Sequence, residues 1–400
     1  TGSENTAVGA LSSDTITTGT NNTSIGYDSL SATTTGDSNV AIGDSALKAN
    51  TTADNNTAVG QSALLANTTG TDNVAIGANA LDANTTASDN TAVGDNALGA
   101  NTTGYSNVGV GATALVGNTT GNNNVAIGAN ALDANTTADN NTAVGNAALG
   151  ANTTGTENVA VGADSLDANT EGSYNSALGY GALGGNTTGV RNSAFGREAL
   201  VANTTGDYNV AVGMGALDAN TTADNNTAVG YDSLGANTTG TFNVAMGTSA
   251  GAAVTTGTDN TLIGSLAGDA LTVGNSNVAI GTHALSADTK GDRNVAIGRA
   301  ALQVQNFTST TDSYNVAVGY GAGELVTTGV NNTLIGGLAG DAITTGGQNV
   351  AVGKAALGAN TTASDNTAVG SNALTTNTTG NFNVAMGTSA LNNNTTGANN

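Results

Sequence analysis

Apolar and polar positions along this chain follow a pattern that returns every 17 residues. Residues 73–77 read Asn-Val-Ala-Ile-Gly, and residues 90–94 read Asn-Thr-Ala-Val-Gly. With the asparagine taken as offset zero, this anchor recurs without a miss from Asn5 to Asn294. A fixed period of this length is the signature of a stacked repeat array rather than of several globular domains.

A four-residue insertion within 303–312 is the one break in the period. Beyond it the step of 17 resumes at Asn315 and runs to Asn400. The sequence therefore predicts a single continuous array over residues 1–400, made of 23 units. We expect the chain to be a segment of a longer protein, because it starts inside a unit and stops on an anchor.

Each unit begins with a short apolar segment that ends in glycine. Offset +3 is always apolar and offset +4 is always Gly, which predicts a short strand followed by a turn. Side chains alternate faces along a strand, so offsets +1 and +3 share one face and offset +2 takes the other. We assign offset +3, such as Ile76, to the core. The small residue at offset +2, usually Ala, then predicts a second surface that packs against other chains.

The second half of the unit carries Ala-Leu at offsets +7 and +8 in most units. Where offset +8 lacks Leu, offset +11 changes from Asn to an apolar residue; the pairs are Ser13 with Ile16, Gly251 with Val254, Gly268 with Leu271, Gly323 with Val326 and Gly340 with Ile343. This exchange indicates that both offsets address one core that is filled at every level.

Each unit closes with turn residues, Asn-Thr-Thr-Gly or Asn-Thr-Thr-Ala. One unit is thus predicted to be one coil of an all-β parallel β-solenoid (β-roll), with two short strands and two turns. Stacking places the asparagines at offsets zero and +11 in two hydrogen-bonded ladders. The residues predicted to shape the coil are Asn73, Ile76, Gly77, Leu81, Asn84, Asn90, Val93, Gly94, Leu98 and Asn101. With strands spaced about 4.8 Å apart, the whole array would be a rod on the order of 110 Å long.

Composition restricts the partners of such a rod. Lys and Arg number 7 against 29 Asp and Glu, giving a net charge of −22, so a basic nucleic-acid footprint is excluded. No apolar run reaches membrane-spanning length in this segment. There is no Cys to staple the fold, and a thin coil buries few apolar side chains. We therefore expect a homo-oligomer, either a trimer of chains side by side or an end-to-end filament.

The run Asn-Val-Ala-Ile-Gly resembles the head repeats of trimeric autotransporter adhesins, which form a left-handed parallel β-roll with three chains side by side. The longer pattern Asn-Thr-Ala-Val-Gly-x-x-Ala-Leu-x-x-Asn-Thr-Thr-Gly is similar to repeats of phage tail fibres and bacterial surface proteins. The resemblance covers all 400 residues. It implies a trimeric fibre that is extracellular, on a cell surface or on a virion. The 17-residue unit is longer than the adhesin head unit commonly is.

Catalytic chemistry finds little support in the sequence. His283 is the single histidine and there is no Cys, so no nucleophile or base has a recognisable partner and we expect no enzyme. No cofactor is expected. Stacked turns with Asp54, Asp139 and Asp224 leave structural Ca²⁺ as an alternative to solvated acidic turns.

Aromatic residues recur at two offsets that flank the first strand. Tyr27, Tyr180, Tyr231 and Tyr320 stand at offset +5, and Tyr174, Tyr208, Phe242, Tyr314 and Phe382 stand just before an anchor. Exposed rings at these places would give weak, repeated contacts with a glycan or surface receptor. The alternative is that they cover neighbouring turns.

The Asn-Thr-Thr turns support two further hypotheses. Each is a glycosylation sequon, as at Asn50, Asn67, Asn84 and Asn101, so the turns are candidate sites for a sugar coat. Regular threonines on a solenoid also suggest ice binding, although adjacent pairs such as Thr85 and Thr86 should point apart.

The sequence favours an extracellular structural or adhesive fibre, in which this segment is the rigid shaft of a cell-surface adhesin. The alternatives within that class are a phage tail-fibre shaft and a self-polymerising filament. An ice-binding protein is the alternative from another class.

Overall fold

A computed structural model describes residues 2–400. These residues form an all-β parallel β-solenoid with about 17 residues per turn and about 22–23 coils, and they include no helix. They divide into two compact units. The first comprises the residues up to Glu198 together with Asn203–Thr205, and the second comprises Ala199–Ala202 together with Gly206–Asn400.

The first unit is a stack of three-residue strands, one from each coil. They are β1 (Thr6–Val8), β2 (Thr23–Ile25), β3 (Val40–Ile42), β4 (Thr57–Val59), β5 (Val74–Ile76), β6 (Thr91–Val93), β7 (Val108–Val110), β8 (Val125–Ile127), β9 (Thr142–Val144), β10 (Val159–Val161), β11 (Ser176–Leu178) and β12 (Ser193–Phe195). Each strand pairs in parallel with the next, and Val74, for example, lies opposite Thr91. The predicted 17-residue register is therefore the register of the sheet.

The second unit repeats this arrangement and contains the insertion. Its strands are β13 (Val210–Val212), β14 (Thr227–Val229), β15 (Val244–Met246), β16 (Thr261–Ile263), β17 (Val278–Ile280), β18 (Gly291–Asp292), β19 (Val295–Ile297), β20 (Thr311–Asp312), β21 (Val316–Val318), β22 (Thr333–Ile335), β23 (Val350–Val352), β24 (Thr367–Val369) and β25 (Val384–Met386). Strands β18 and β20 pair separately from the main sheet. Because Val295 still lies opposite Val316, the extra residues bulge out at the exposed residues 308–310 without shifting the register.

Each coil holds one strand in the stack, not the two that the sequence suggested. The Ala-Leu half of the coil is a turn, because offsets +6 and +8 adopt left-handed backbone conformations, as at Asn79 (φ 54) and Leu81 (φ 51). Its backbone still bonds from coil to coil, with the Leu81 N–H donating to the Ala97 carbonyl at 3.0 Å. A left-handed leucine costs roughly 1–2 kcal/mol. Full burial of its side chain, worth roughly 1.5–3 kcal/mol, offsets that cost.

The two predicted asparagine ladders are present and buried. At offset zero, the Asn90 backbone N–H donates to Oδ1 of Asn73 at 3.0 Å, and at offset +11, Nδ2 of Asn84 donates to Oδ1 of Asn67 at 2.9 Å. Both ladders are tied to the same turn. Within one coil, Nδ2 of Asn73 and Nδ2 of Asn84 both donate to the Ala87 carbonyl, at 2.9 and 3.0 Å. The amides of these asparagines are thus hydrogen-bonded along and across the stack, as buried polar groups require.

Candidate interaction surface

The orientation of the strands decides which residues this molecule presents to a partner. The structure buries Ala75 completely and leaves 41% of Ile76 exposed, and Val93 is half-buried. Offset +2 therefore faces the core, while offsets +1 and +3 face outward. Our assignment of Ile76 and Val93 to the core is wrong, and so is the placement of an interchain contact on the alanines.

The reason is the narrow interior of the coil. The alanines at offsets +2 and +7, the leucine at offset +8 and the two asparagine ladders already fill it, and all of these positions are buried. Leu81, Leu98, Asn84 and Asn101 are among them, as predicted. A branched side chain at offset +2 finds room only where the facing leucine is missing.

Two coils show this exchange directly. Leu262 stands at offset +2, and a Cβ built on Gly251 or Gly268 would lie 2.6 or 2.8 Å from its methyl groups. Leu262 thus occupies the space that a leucine at offset +8 fills elsewhere. The apolar residues at offset +11, Val254 and Leu271, are also fully buried, which confirms that offsets +8 and +11 share one core. Leu334 stands in the same relation to Gly323 and Gly340.

The outward strand residues form what we call the strand face: the side chains at offsets +1 and +3 of each coil. Offset +1 is Val, Thr or Ser, and offset +3 is Val, Ile, Leu, Phe or Met, so none of the 36 charged residues of the chain lies on this face. Its most exposed members are Val8, Ile25, Ile42, Ile76, Ile127, Val159, Leu178, Phe195, Met246, Ile335, Val384 and Met386. Contiguous exposed apolar surface of this kind marks an interaction site.

Two rows of residues border the strand face, the −1 rim just before each anchor asparagine and the +5 rim just after each Gly at offset +4. Most of the tyrosines lie on these rims, and Tyr174, Tyr180, Tyr314 and Tyr320 are each about half exposed (48–55%). The rings are therefore available for contact, as the sequence suggested, although four of them also contact a neighbouring guanidinium.

All four arginines of the chain lie on the same two rims. Arg191 and Arg197 flank β12, and Arg293 and Arg299 flank β19. Each guanidinium lies over a tyrosine ring of an adjacent coil: Arg191 over Tyr174 at 5.1 Å, Arg197 over Tyr180 at 5.9 Å, Arg293 over Tyr314 at 5.7 Å and Arg299 over Tyr320 at 5.5 Å. We name these contacts the Tyr–Arg pairs. Counting arginines by offset would have found them in the sequence.

Acidic neighbours occupy some of these guanidinium groups. Arg197 forms an ion pair with Glu198 at 3.0 Å, and Arg293 forms one with Asp312. Arg299 instead donates to the Tyr320 hydroxyl at 3.1 Å. Among residues 2–400, no carboxylate lies within ion-pair distance of Arg299.

The aspartates considered for Ca²⁺ accept backbone hydrogen bonds from the preceding coil. Oδ1 of Asp54 accepts from the Asp37 N–H at 2.7 Å, Oδ1 of Asp139 from the Asn122 N–H at 2.6 Å, and Oδ1 of Asp224 from the Asp207 N–H at 2.8 Å. No group of three or more His, Cys, Asp or Glu residues within 2–400 is placed to hold a metal ion. These aspartates therefore have a structural role in the turn whether or not a cation is present.

His283 and the Asn-Thr-Thr turns are also placed by the fold. His283 is half-buried, and burial raises the pKa of the nearby Asp269 carboxyl. The sequon asparagine Asn84 is fully buried and uses Nδ2 in two hydrogen bonds. Because a glycan would be attached at that nitrogen, the folded coil cannot carry one there.

Of the paired threonines proposed for ice binding, the first of each pair uses its hydroxyl in a hydrogen bond to the next coil. The Thr85 hydroxyl donates to the Thr102 carbonyl of the next coil at 3.2 Å, and the same contact recurs along the stack. The second of each pair, such as Thr86, is exposed in the turn. The threonines at offset +1 of the strand face, such as Thr91, are half-buried and alternate irregularly with valine.

A shallow groove in the first unit is lined by Asp14, Asp28, Lys48 and Leu65 among others. Lys48 bonds Asp28 at 2.6 Å, and this contact lowers the pKa of Asp28. The opposite charges of Asp28 and Lys48 therefore pair with each other in this groove.

Comparison with known proteins adds no family to this picture. No family model matches the sequence, and no curated protein matches it. Nor do residues 2–400 contain a helix of the length and hydropathy that a membrane span needs.

Proposed function

We propose that this chain is the shaft of an extracellular structural or adhesive fibre, in which the strand face packs against further copies of the same chain in a parallel trimer. The observation that carries the proposal is the strand face itself: uncharged, outward and continuous from coil to coil within each unit, in a chain with a net charge of −22. A solvated surface of such a chain would be expected to carry charge. The lack of charged residues on the strand face is what we would expect of a surface that other copies of the chain cover.

The size of the face supports packing between whole arrays. A three-residue strand with a 4.8 Å spacing to its neighbour presents roughly 30 Å². One coil therefore contributes almost nothing, whereas about 23 coils contribute roughly 700 Å². That is close to the ~800 Å² per partner that a stable interface needs. Only copies in contact along most of their coils would bury enough surface, and the parallel direction is taken from the resemblance to trimeric autotransporter heads.

The number of copies rests on the resemblance of the repeat to trimeric autotransporter heads, and the cellular setting rests on the same resemblance. The fibre role also fits the use of the buried asparagines, which hold successive coils together. A phage tail-fibre shaft would pack in the same way and would differ in being attached to a virion. An appended receptor-binding domain in the parent gene would favour an adhesin or a fibre.

The test is the mass of the purified chain in solution, measured by light scattering, with electron micrographs of the same sample. We expect three times the 38.3 kDa chain mass and rods of uniform length. The double variant Ile76→Lys/Ile127→Lys places two charges on the strand face and should give single, folded chains. The matched control Thr86→Lys/Thr137→Lys adds the same charge at exposed turn positions and should keep the trimeric mass.

Three outcomes would contradict the proposal. Filaments of growing mass would make end-to-end polymerisation the function. A monomeric wild-type chain would remove the packing role of the strand face, and thermal hysteresis by that monomer would support ice binding. Equal mass for the two double variants would show that the strand face is not the interface.

A further inference from the structure

The four Tyr–Arg pairs are placed in a way that the packing of the coils does not explain. In a chain with only 7 basic residues, every arginine lies on a rim of the strand face, and every one lies over a tyrosine of the adjacent coil. The arrangement occurs once in each unit, at the same two offsets. Elsewhere these rims carry mainly Asn, Asp, Ser and small residues.

We propose that the Tyr–Arg pairs are binding spots for an acidic saccharide, a sugar chain that carries carboxylates. This inference rests on the adhesive part of the proposed function and names the class of ligand. The guanidinium fork matches the two oxygens of a carboxylate, and an exposed tyrosine ring offers an apolar face on which the C–H side of a sugar ring can stack.

The positive charges on the rims favour an acidic saccharide over a neutral one. The chain as a whole repels anions, with 29 acidic residues, and the Tyr–Arg pairs are the places on the rims where positive charge is concentrated beside aromatic rings. The Arg299 guanidinium donates to the neutral Tyr320 hydroxyl and has no carboxylate of residues 2–400 within ion-pair distance, so it is available to an anionic ligand. A neutral sugar would accept only single hydrogen bonds from the guanidinium, whereas a carboxylate forms the stronger, charge-assisted pair.

The spacing of the pairs points to a polymer rather than to a single sugar. The two rims are six residues apart along an extended segment, so their pairs lie at most roughly 20 Å from each other. Each pair offers a single ring and a single guanidinium, which is a weak site alone. Several weak sites on one rod gain affinity when one ligand chain reaches more than one of them.

The test uses polygalacturonate, a carboxylated sugar chain, and the same polymer with its carboxylates methyl-esterified. Binding to the wild-type assembly is measured by calorimetry at low and physiological salt. We expect the carboxylated chain to bind and the ester not to bind. The variant Arg197→Gln/Arg299→Gln should weaken binding about tenfold or more, the loss expected for charge-assisted hydrogen bonds. Tyr320→Ala should weaken it as well.

The matched control is Lys290→Gln/Lys354→Gln, which removes the same net charge. Lys354 stands on the +5 rim between Gly337 and Ser371, with no aromatic neighbour on either side. Full binding by this control supports the proposal. An equal loss in both double variants, equal binding of the ester, equal binding of single-stranded oligothymidylate, or no binding at all would overturn it. Because light scattering reports the mass of the same samples, failure of the fibre proposal would be seen separately.

Discussion

Asn73 and Asn90 form one step of a buried ladder. The backbone N–H of Asn90 donates to Oδ1 of Asn73 at 3.0 Å, and Nδ2 of Asn90 donates to the same oxygen at 3.3 Å. The same Nδ2 group also donates to the Gly104 carbonyl at 2.9 Å. One amide thus joins its own turn to the coil before it.

Replacing Asn90 with Asp keeps the size of the side chain but removes both amide hydrogens. Buried carboxylate oxygens would then face the oxygens of Asn73 and Gly104, and we expect the free energy of unfolding to fall by at least about 2 kcal/mol at pH 7. Denaturant unfolding measures the change. Asn96→Asp makes the same replacement at a half-buried turn position of the same coil and should change stability by less than about 0.5 kcal/mol. Equal losses would show that the ladder does not stabilise the stack.

The glycine at offset +4 stands at a close approach of successive coils. Gly77 has φ 142, and a Cβ on it would lie 2.2 Å from the Gly94 carbonyl oxygen. Gly77→Ala should therefore destabilise the chain by more than about 2 kcal/mol, because the backbone is both strained and blocked. Gly337→Ala is the control, since the nearest atom to its new Cβ is 3.9 Å away. Thermal unfolding of both variants tests the contrast, and a tolerated Gly77→Ala would refute the close stacking.

Leu262 and Gly268 should be energetically coupled. Leu262→Ala empties the space beside Gly251 and Gly268, and we expect a loss of about 2–5 kcal/mol. Gly268→Leu should also destabilise, because its Cβ alone would lie 2.8 Å from a Leu262 methyl group. The combination of both changes should cost less than the sum of the single changes, since the new leucine occupies the emptied space. A double-mutant cycle measures the coupling, and strict additivity would contradict the shared space.

The aspartates at offset +9 should make the chain more stable as the solution is acidified. Burial raises the pKa of Asp82, Asp133, Asp167, Asp269 and Asp341 above the ordinary value of 3.8. The folded chain then binds protons more tightly than the unfolded chain. At neutral pH, where these carboxyl groups are ionised in both states, the folded state therefore bears the whole free-energy cost of burying their charge. This destabilisation decreases as the pH falls through the raised pKa values of the folded state toward 3.8.

The measurement is the midpoint of thermal unfolding between pH 7 and pH 4. Changing the five aspartates to Asn should raise the midpoint at pH 7 and flatten its pH dependence. The control changes five exposed aspartates on the rims to Asn, namely Asp44, Asp72, Asp89, Asp95 and Asp259, and so alters the net charge equally. An identical flattening in the control would assign the effect to overall repulsion instead of burial.

The sequence by itself determined the coil, its register and most of its interior. The period of 17 placed Asn73 above Asn90 and Leu81 above Leu98, and the exchange between offsets +8 and +11 showed that both reach one core. These features recur in every coil because every coil packs in the same way. The repeated residue types at fixed offsets therefore reveal them in the sequence alone. The signal that links Leu262 to Gly251 and Gly268 was also present in the sequence: where two successive coils carry Gly at offset +8, the second of them has Leu at offset +2.

Only the tertiary structure decided which side of the strand faces inward. Alternation along Val74, Ala75 and Ile76 defines two faces but does not say which is buried, and the larger apolar residues suggested the wrong one. The cross-section of the coil settles the matter. Leu81 and the asparagine ladders already fill the interior, so close packing admits only a methyl group at offset +2, and the branched side chains turn outward. The conformation of Leu81, left-handed where a second strand was expected, follows from the same closed path around a narrow core.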